Sequence, residues 1–237
     1  MWLKDKTVVI LGGSSGIGLA TAQAALAEGA KLIITGRSRE RLEAARIKLQ
    51  ADVRTVALDV TDEPGTRALF GSFDKVDHVF ITAGMVTFDP KLAPASDALR
   101  PALDQRFWGA LYAAKYAATK MGAGGSITFM SGTTAIRPLP GAAVATASCG
   151  AVEAFARSLA LDLAPIRVNT IQPGLVDTPF LDLLGDRRQA IIDDYSRSLP
   201  VGRPGRPEEI ADAVLFLMRN QFVTGITLTV DGGGVLT

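Results

Sequence analysis

Gly12, Gly16 and Gly18 stand in the order G-x-x-x-G-x-G, directly after the apolar run TVVILG (Thr7 to Gly12) and at the head of a helical pattern. Glycines so spaced let the backbone turn tightly and let a pyrophosphate approach the helix N-terminus, where free N–H groups and the helix dipole favour negative charge. Ser14, Ser15 and Ile17 fill the turn, and the two serines add hydroxyl and amide donors for phosphate. About twenty residues on, a site for NAD would place an acid on the ribose diol. This chain reads Thr35-Gly36-Arg37-Ser38 there. An arginine in that place can pair a 2′-phosphate through charge-assisted hydrogen bonds, so the expected cofactor is NADP(H). The plainer reading of Arg37 is a solvated loop cation.

Side chains able to move protons are fewer. His78 is the one histidine and Cys149 the one cysteine. No metal site is expected. His78 lies inside an apolar strand pattern, which favours a structural role. Tyr116 and Lys120 stand four residues apart on a helical pattern. They precede the apolar run Ser126 to Gly132, however, and so fall at the end of a helix away from the carboxyl edge of a sheet, where ligands bind. The expectation for this pair is a helix surface, with a subunit contact as one use of it.

The elements that must position these residues are legible as short apolar runs alternating with helical patterns. The runs are Thr7 to Gly12, Lys31 to Gly36, Val53 to Val60, Val76 to Gly84, Ser126 to Gly132, Ile166 to Gly174 and Ile226 to Gly233. Near-continuous apolar character marks strands covered on both faces. Segments such as Gly16 to Glu28 and Arg39 to Ala51 carry helical spacing. The alternation predicts an α/β chain: a single-domain Rossmann fold (residues 1–237) with a doubly wound parallel sheet of about seven strands flanked by helices. Residues 177–204 break the pattern with a polar helical piece and are expected to form a lid.

Composition narrows the class further. Hydrophobic residues at 48% and charged residues at 21% describe a packed globule, and a net charge of +1 gives no reason to expect nucleic acid or an anionic membrane surface. The apolar runs fall short of a membrane span, the N-terminus runs straight into a strand rather than an apolar leader, and one cysteine fits a reducing compartment. The expected location is cytoplasmic.

The glycine turn, together with ASCGAVEAFARSLALDLAPIRVNTIQPGLVDTP (Ala147 to Pro179), resembles the short-chain dehydrogenase/reductase family over nearly the whole chain. The resemblance implies that Asp59-Val60 meets the adenine and that Ala83-Gly84 ends the family's NNAG motif, with Ile81 and Thr82 in place of its asparagines. It further implies that Pro173-Gly174, Val176 and Thr178 hold the nicotinamide amide, and that the assembly is a homotetramer or homodimer. Family enzymes use an asparagine, a serine, a tyrosine and a lysine. The matching positions here read Arg106, Gly132, Ala145 and Cys149. Alanine and glycine have no proton to give, and cysteine does not carry a lysine's charge.

Neighbours offer weak substitutes: Ser131, beside the expected serine, and Asp177, beside the nicotinamide segment. Arg106 could polarise an oxygen or hold a carboxylate, but it donates no proton. Two functions stay open beside ordinary ketone/alcohol chemistry with relocated residues. One is an NADP(H)-dependent reductase of a small, apolar organic substrate that needs no tyrosine, such as an iminium ion or activated alkene. The other is a non-catalytic NADP(H)-binding sensor or partner subunit. The pocket is expected from Met85 to Pro94, Thr133 to Gly141 and Phe180 to Leu199.

Overall fold

The computed structural model describes residues 1–84 and 96–237, so the expected pocket segment Met85 to Pro94 lies outside the described residues. Seven strands, β1 (Thr7–Leu11), β2 (Lys31–Gly36), β3 (Arg54–Ala57), β4 (His78–Ile81), β5 (Ser126–Met130), β6 (Arg167–Pro173) and β7 (Thr227–Val230), form one sheet in the order β3-β2-β1-β4-β5-β6-β7. Every pairing is parallel. The order reverses between β1 and β4, which opens a crevice at their carboxyl ends.

The continuous apolar runs have a direct cause. On β1, Val9 and Leu11 point to one face and Val8 and Ile10 to the other, and all four are fully buried. The first face is covered by α3 (Glu63–Gly71), α5 (Gly109–Ala118) and α6 (Ala143–Asp162). The second is covered by α1 (Gly16–Ala27), α2 (Arg39–Leu49) and α8 (Pro207–Arg219). A strand facing two apolar layers has no solvated side on which polar residues would alternate.

Local signals set the helix starts. The Ser38 hydroxyl accepts from the Arg41 amide at 3.2 Å to cap α2, and the Asp62 carboxylate accepts from Gly65 at 3.1 Å to cap α3. At α8 the Glu209 carboxylate accepts from the Arg206 amide at 2.7 Å, and Pro207 takes the first turn. Between α4 (Ser96–Leu103) and α5 the backbone widens into a π-helical turn, Asp104–Trp108, with Arg106 at its centre. Such widened turns occur often at functional sites.

The amino edge of the sheet carries a polar cluster. His78, the first residue of β4, is 4% exposed and has Nδ1 2.8 Å from the Ser126 hydroxyl. Burial holds its imidazole down at about 4. Asp77 beside it accepts from the Thr7 amide at 2.9 Å and pairs with Lys6 and Lys75. His78 is therefore a neutral structural residue at the end of the sheet opposite the crevice. Nearby, the buried Arg167 guanidinium donates to the Leu217 and Met218 carbonyls, fastening the C-terminal end of α8 to β6.

Among the described residues no helix is long and apolar enough to cross a membrane, and no three His, Cys, Asp or Glu side chains cluster to hold a metal.

Candidate cofactor and catalytic site

The glycine turn joins β1 to α1. Gly12 has φ +99°, and a Cβ there would lie 2.4 Å from Thr82 Oγ1, whose hydroxyl donates to the Gly12 carbonyl at 3.1 Å. A Cβ on Gly18 would sit 2.2 Å from the Gly12 carbonyl oxygen, so helix and turn are in direct contact. Ser15 occupies the N-cap of α1 without a side-chain cap hydrogen bond, which leaves the first amides of the helix free for an anion. A Cβ on Gly36 would come within 3.1 Å of Ser14 Oγ, so the end of β2 lies against the turn. Arg37, next in the chain, is exposed. Ser38 spends its hydroxyl on capping α2.

The other half of the cradle comes from β6. A Cβ on Gly16, at φ +52°, would lie 3.3 Å from Thr178 Cβ, so Thr178 faces the N-terminus of α1 across the crevice. Thr178 is held by the segment before it. Gly174 donates to the Val230 carbonyl at 3.1 Å, Val176 bridges to Gly205, and the Asp177 amide donates to the Gly205 carbonyl at 2.9 Å. Asp59 closes a small turn by accepting from the Thr61 amide and hydroxyl at 2.9 and 2.7 Å. Val60 is buried against α5, where a Cβ on Gly109 would meet its Cγ2 at 2.7 Å. Ala83 anchors to β1 through its amide, 3.1 Å from the Leu11 carbonyl. Uncapped helix amides and backbone surfaces cleared of Cβ atoms suit a dinucleotide, and these residues fit one.

Arg106, Gly132, Ala145 and Cys149, the positions expected to match the family's catalytic set, lie around the carboxyl end of β5. A Cβ on Gly132 would touch only Cys149 Sγ, at 3.6 Å. Cys149 and Ala145 lie one turn apart on α6 and are 2% and 1% exposed. Thr134 Oγ1 stands 3.9 Å from that sulfur, and Thr146 donates to the Thr134 carbonyl at 3.2 Å. Arg106 reaches in from the π-helical turn, its Nη1 donating to the Met130 carbonyl at 2.9 Å. A Cβ on Gly84 would lie 3.2 Å from Arg106 Cζ, which places the guanidinium between the carboxyl ends of β4 and β5.

The weak substitutes are committed elsewhere. Ser131 Oγ donates to Glu153 Oε1 at 2.5 Å, beneath the crevice floor. The same oxygen accepts from Gln172 Nε2 at 2.7 Å, and Gln172 Oε1 accepts from the Thr229 hydroxyl at 2.8 Å. This buried chain links β5, α6, β6 and β7, and Glu153 gave no sign of itself in the sequence because its partners lie 19 and 22 positions away. Asp177 is half exposed and paired with Arg188, the first residue of α7 (Arg188–Ser198), which also reaches Asp182 at 3.2 Å.

The Tyr116 hydroxyl donates to Glu63 Oε1 at 2.8 Å on the α3–α5 surface, away from the crevice. On α7, Tyr195 is turned toward the C-terminal segment, its oxygen 2.8 Å from where a Gly234 Cβ would be, and burial pushes its phenol above the usual value.

Comparison with known proteins agrees with this geometry. The family model described as Enoyl-(Acyl carrier protein) reductase matches residues 12–234. The short-chain dehydrogenase/reductase malC of Malbranchea aurantiaca is 34% identical, over 99% of this chain and 96% of its own. The solved structure of the MalC reductase/Diels-Alderase from that organism superposes with a TM-score of 0.93 at 33% identity, covering 99% of this chain and 98% of that one. A small-chain dehydrogenase solved in complex with NADPH gives 0.86 at 32% identity, over 99% and 100% of the two chains. With this parallel sheet, this glycine turn and a nicotinamide-dinucleotide cradle, the chain belongs to the short-chain dehydrogenase/reductase family of oxidoreductases.

Proposed function

We propose that the protein is an NADP(H)-dependent reductase that delivers hydride to a small organic substrate without the family's tyrosine and lysine. One observation carries this reading: the segment Pro173 to Thr178, which we assign to the nicotinamide, packs against the glycine turn, while Gly132 and Ala145 offer no proton donor and Cys149 offers only a buried thiol. A chain kept for its surfaces alone has no need of Thr178 facing Gly16. The bound nicotinamide would supply the hydride. The protein's share is to orient the two partners and exclude water.

The preference for NADP(H) rests on Arg37, which is exposed, follows the end of β2, and has no carboxylate partner among the described residues. Residues 177–204 act as the lid, held near the cradle by the Arg188 pairs to Asp177 and Asp182. The chain acts in the cytoplasm as a homotetramer or homodimer, a reading supported by the exposed aromatic surface at Trp108 and by the small residues of α6.

Replacement of all four catalytic positions favours a second reading, an inactive NADP(H)-binding sensor or partner subunit. Titration with NADPH and NADH, followed by nucleotide fluorescence, tests the cofactor assignment: NADPH binding more tightly than NADH supports it, and failure to bind either refutes both readings. Incubation with NADPH and a panel of ketones, imines and enones then separates them. Consumption of NADPH with a member of the panel supports the reductase. No consumption by a chain that binds NADPH supports the sensor.

A further inference from the structure

The chain turns back on itself after β7. Asp231 follows that strand, and its carboxylate accepts from the Gly233 amide at 3.0 Å and the Val235 amide at 2.8 Å. A short helical turn, Gly234–Leu236, results, with the Gly234 and Leu236 amides donating to the Asp231 and Gly233 carbonyls at 3.2 and 3.0 Å. The root of this segment lies on the stretch assigned to the nicotinamide: a Cβ on Gly174 would come within 2.8 Å of Asp231 Cβ. Its middle lies on the end of α7. Cβ atoms on Gly232, Gly233 and Gly234 would stand 2.5 Å from Val201 Cγ2, 2.7 Å from Pro200 Cγ and 2.8 Å from Tyr195 Oη. A side chain at any of the three must displace its neighbour, and Gly232 and Gly233 also have φ +64° and +84°. Its end is held by a different element. Arg137, on the loop between β5 and α6, donates through Nη1 to the Gly234 carbonyl and to the Thr237 hydroxyl oxygen, 3.3 Å away.

We propose that residues 231–237 are a strap that joins the β5–α6 loop to the lid and closes the substrate side of the crevice, with Arg137 as its clasp. Both joined pieces belong to the expected pocket: the loop begins directly after Gly132, and the lid begins beside Thr178. Among the described residues, the side-chain hydrogen bonds from that loop to the strap come from Arg137. The strap's middle is already at contact distance from Tyr195, Pro200 and Val201, so its movement passes to the end of α7. Arg137 is exposed, and it grips a carbonyl and a hydroxyl rather than a carboxylate. A closure made of one or two such hydrogen bonds is weak enough to open. The dinucleotide turn is fastened separately: the Gly12 and Gly13 amides each donate to the Thr35 carbonyl at 3.0 Å, and Thr82 holds the Gly12 carbonyl. Opening the strap therefore leaves the turn in place. Arg137 is a positioning residue for substrate admission, and the strap serves any ligand that enters on this side, whether or not it is reduced.

Amide hydrogen exchange read by mass spectrometry tests this on the whole chain, with and without NADPH. In Arg137→Gln the amides of residues 231–237 and of residues 195–202, at the end of α7, should both exchange about tenfold faster than in wild type, the change expected from losing a hydrogen bond to a charged donor. Exchange in residues 7–27, which carry the glycine turn, should stay as in wild type. Arg137→Lys keeps the charge and should fall between the two. Unchanged exchange of residues 231–237 in Arg137→Gln overturns the clasp. Faster exchange there with residues 195–202 unchanged overturns the joining of strap to lid. NADPH affinity, measured by calorimetry, should be the same in wild type and Arg137→Gln, and a tenfold loss would overturn the assignment of the strap to the substrate side. Should Arg137→Gln fail to fold, Arg137→Lys decides by the same comparison. If the wild type binds no NADPH the reductase reading fails, while exchange in the unloaded chain still answers for the strap.

Discussion

Acidification should unfold this protein in part through one buried ring. The His78 imidazole has an ordinary value near 6.5 and is held at about 4 in the fold by burial, with Lys6, Lys75 and Arg167 opposing its charge and Asp77 favouring it. Below pH 6.5 the unfolded chain takes up a proton that the folded chain refuses, so stability is full above that value and falls as pH drops toward 4. At about 1.4 kcal/mol per tenfold change, the linked loss comes to about 2 kcal/mol at pH 5 and about 3 kcal/mol at pH 4. Carboxylates such as Asp77 add their own acid loss, so the measurement needs a control. Urea denaturation at pH 7.5 and pH 5 should be run on wild type and on His78→Gln, which keeps a partner for Ser126. The variant is expected to be less stable at pH 7.5 but to lose about 2 kcal/mol less on acidification. Equal losses in the two proteins would show that the ring is not held neutral, and the linkage would be wrong.

Other expectations are as direct. Gly18→Ala sets a methyl 2.2 Å from the Gly12 carbonyl, so α1 must shift; overpacking of this kind costs about 1–3 kcal/mol. Calorimetric titration should show NADPH affinity falling more steeply than thermal stability. Arg37→Ala should weaken NADPH about tenfold or more while leaving NADH unchanged, and equal effects on both would assign Arg37 to the loop surface. Glu153→Ala strands the Ser131 hydroxyl and the Gln172 amide in the interior, at about 1–3 kcal/mol for each group left unpaired. Glu153→Gln should cost less than Glu153→Ala in the same denaturation assay.

The sheet was legible because its strands are apolar on both faces, and all seven fall within the expected runs. The ladders are shorter than the runs for a physical reason. β3 sits at the sheet edge and pairs only with β2, over Ile33 to Gly36, so hydrogen bonding covers Arg54–Ala57 rather than the full apolar stretch Val53 to Val60. The glycine turn was legible because Gly12 and Gly16 have positive φ, a backbone demand that shows in residue identity.

Contacts across long separations left no such trace. Thr82 locking Gly12, Thr178 facing Gly16, and Glu153 joining Ser131 to Gln172 are meetings of ordinary residue types at distant positions. The π-helical turn was equally hidden, since nothing at Asp104–Trp108 departs from a regular helical pattern. Ser131 and Asp177 looked available in sequence and proved engaged with Glu153 and Arg188.

The meeting of Thr178 with Gly16 also sets an order of events during synthesis. The phosphate turn is among the first parts of the chain to leave the ribosome, and β2 and β3 can pair beside it early. Its opposite wall arrives only after β6 has been made and added beyond β4 and β5. A nascent chain therefore carries half a cradle through most of its translation, and its nucleotide can act as a ligand that rewards completion of the fold, not as a template that starts it.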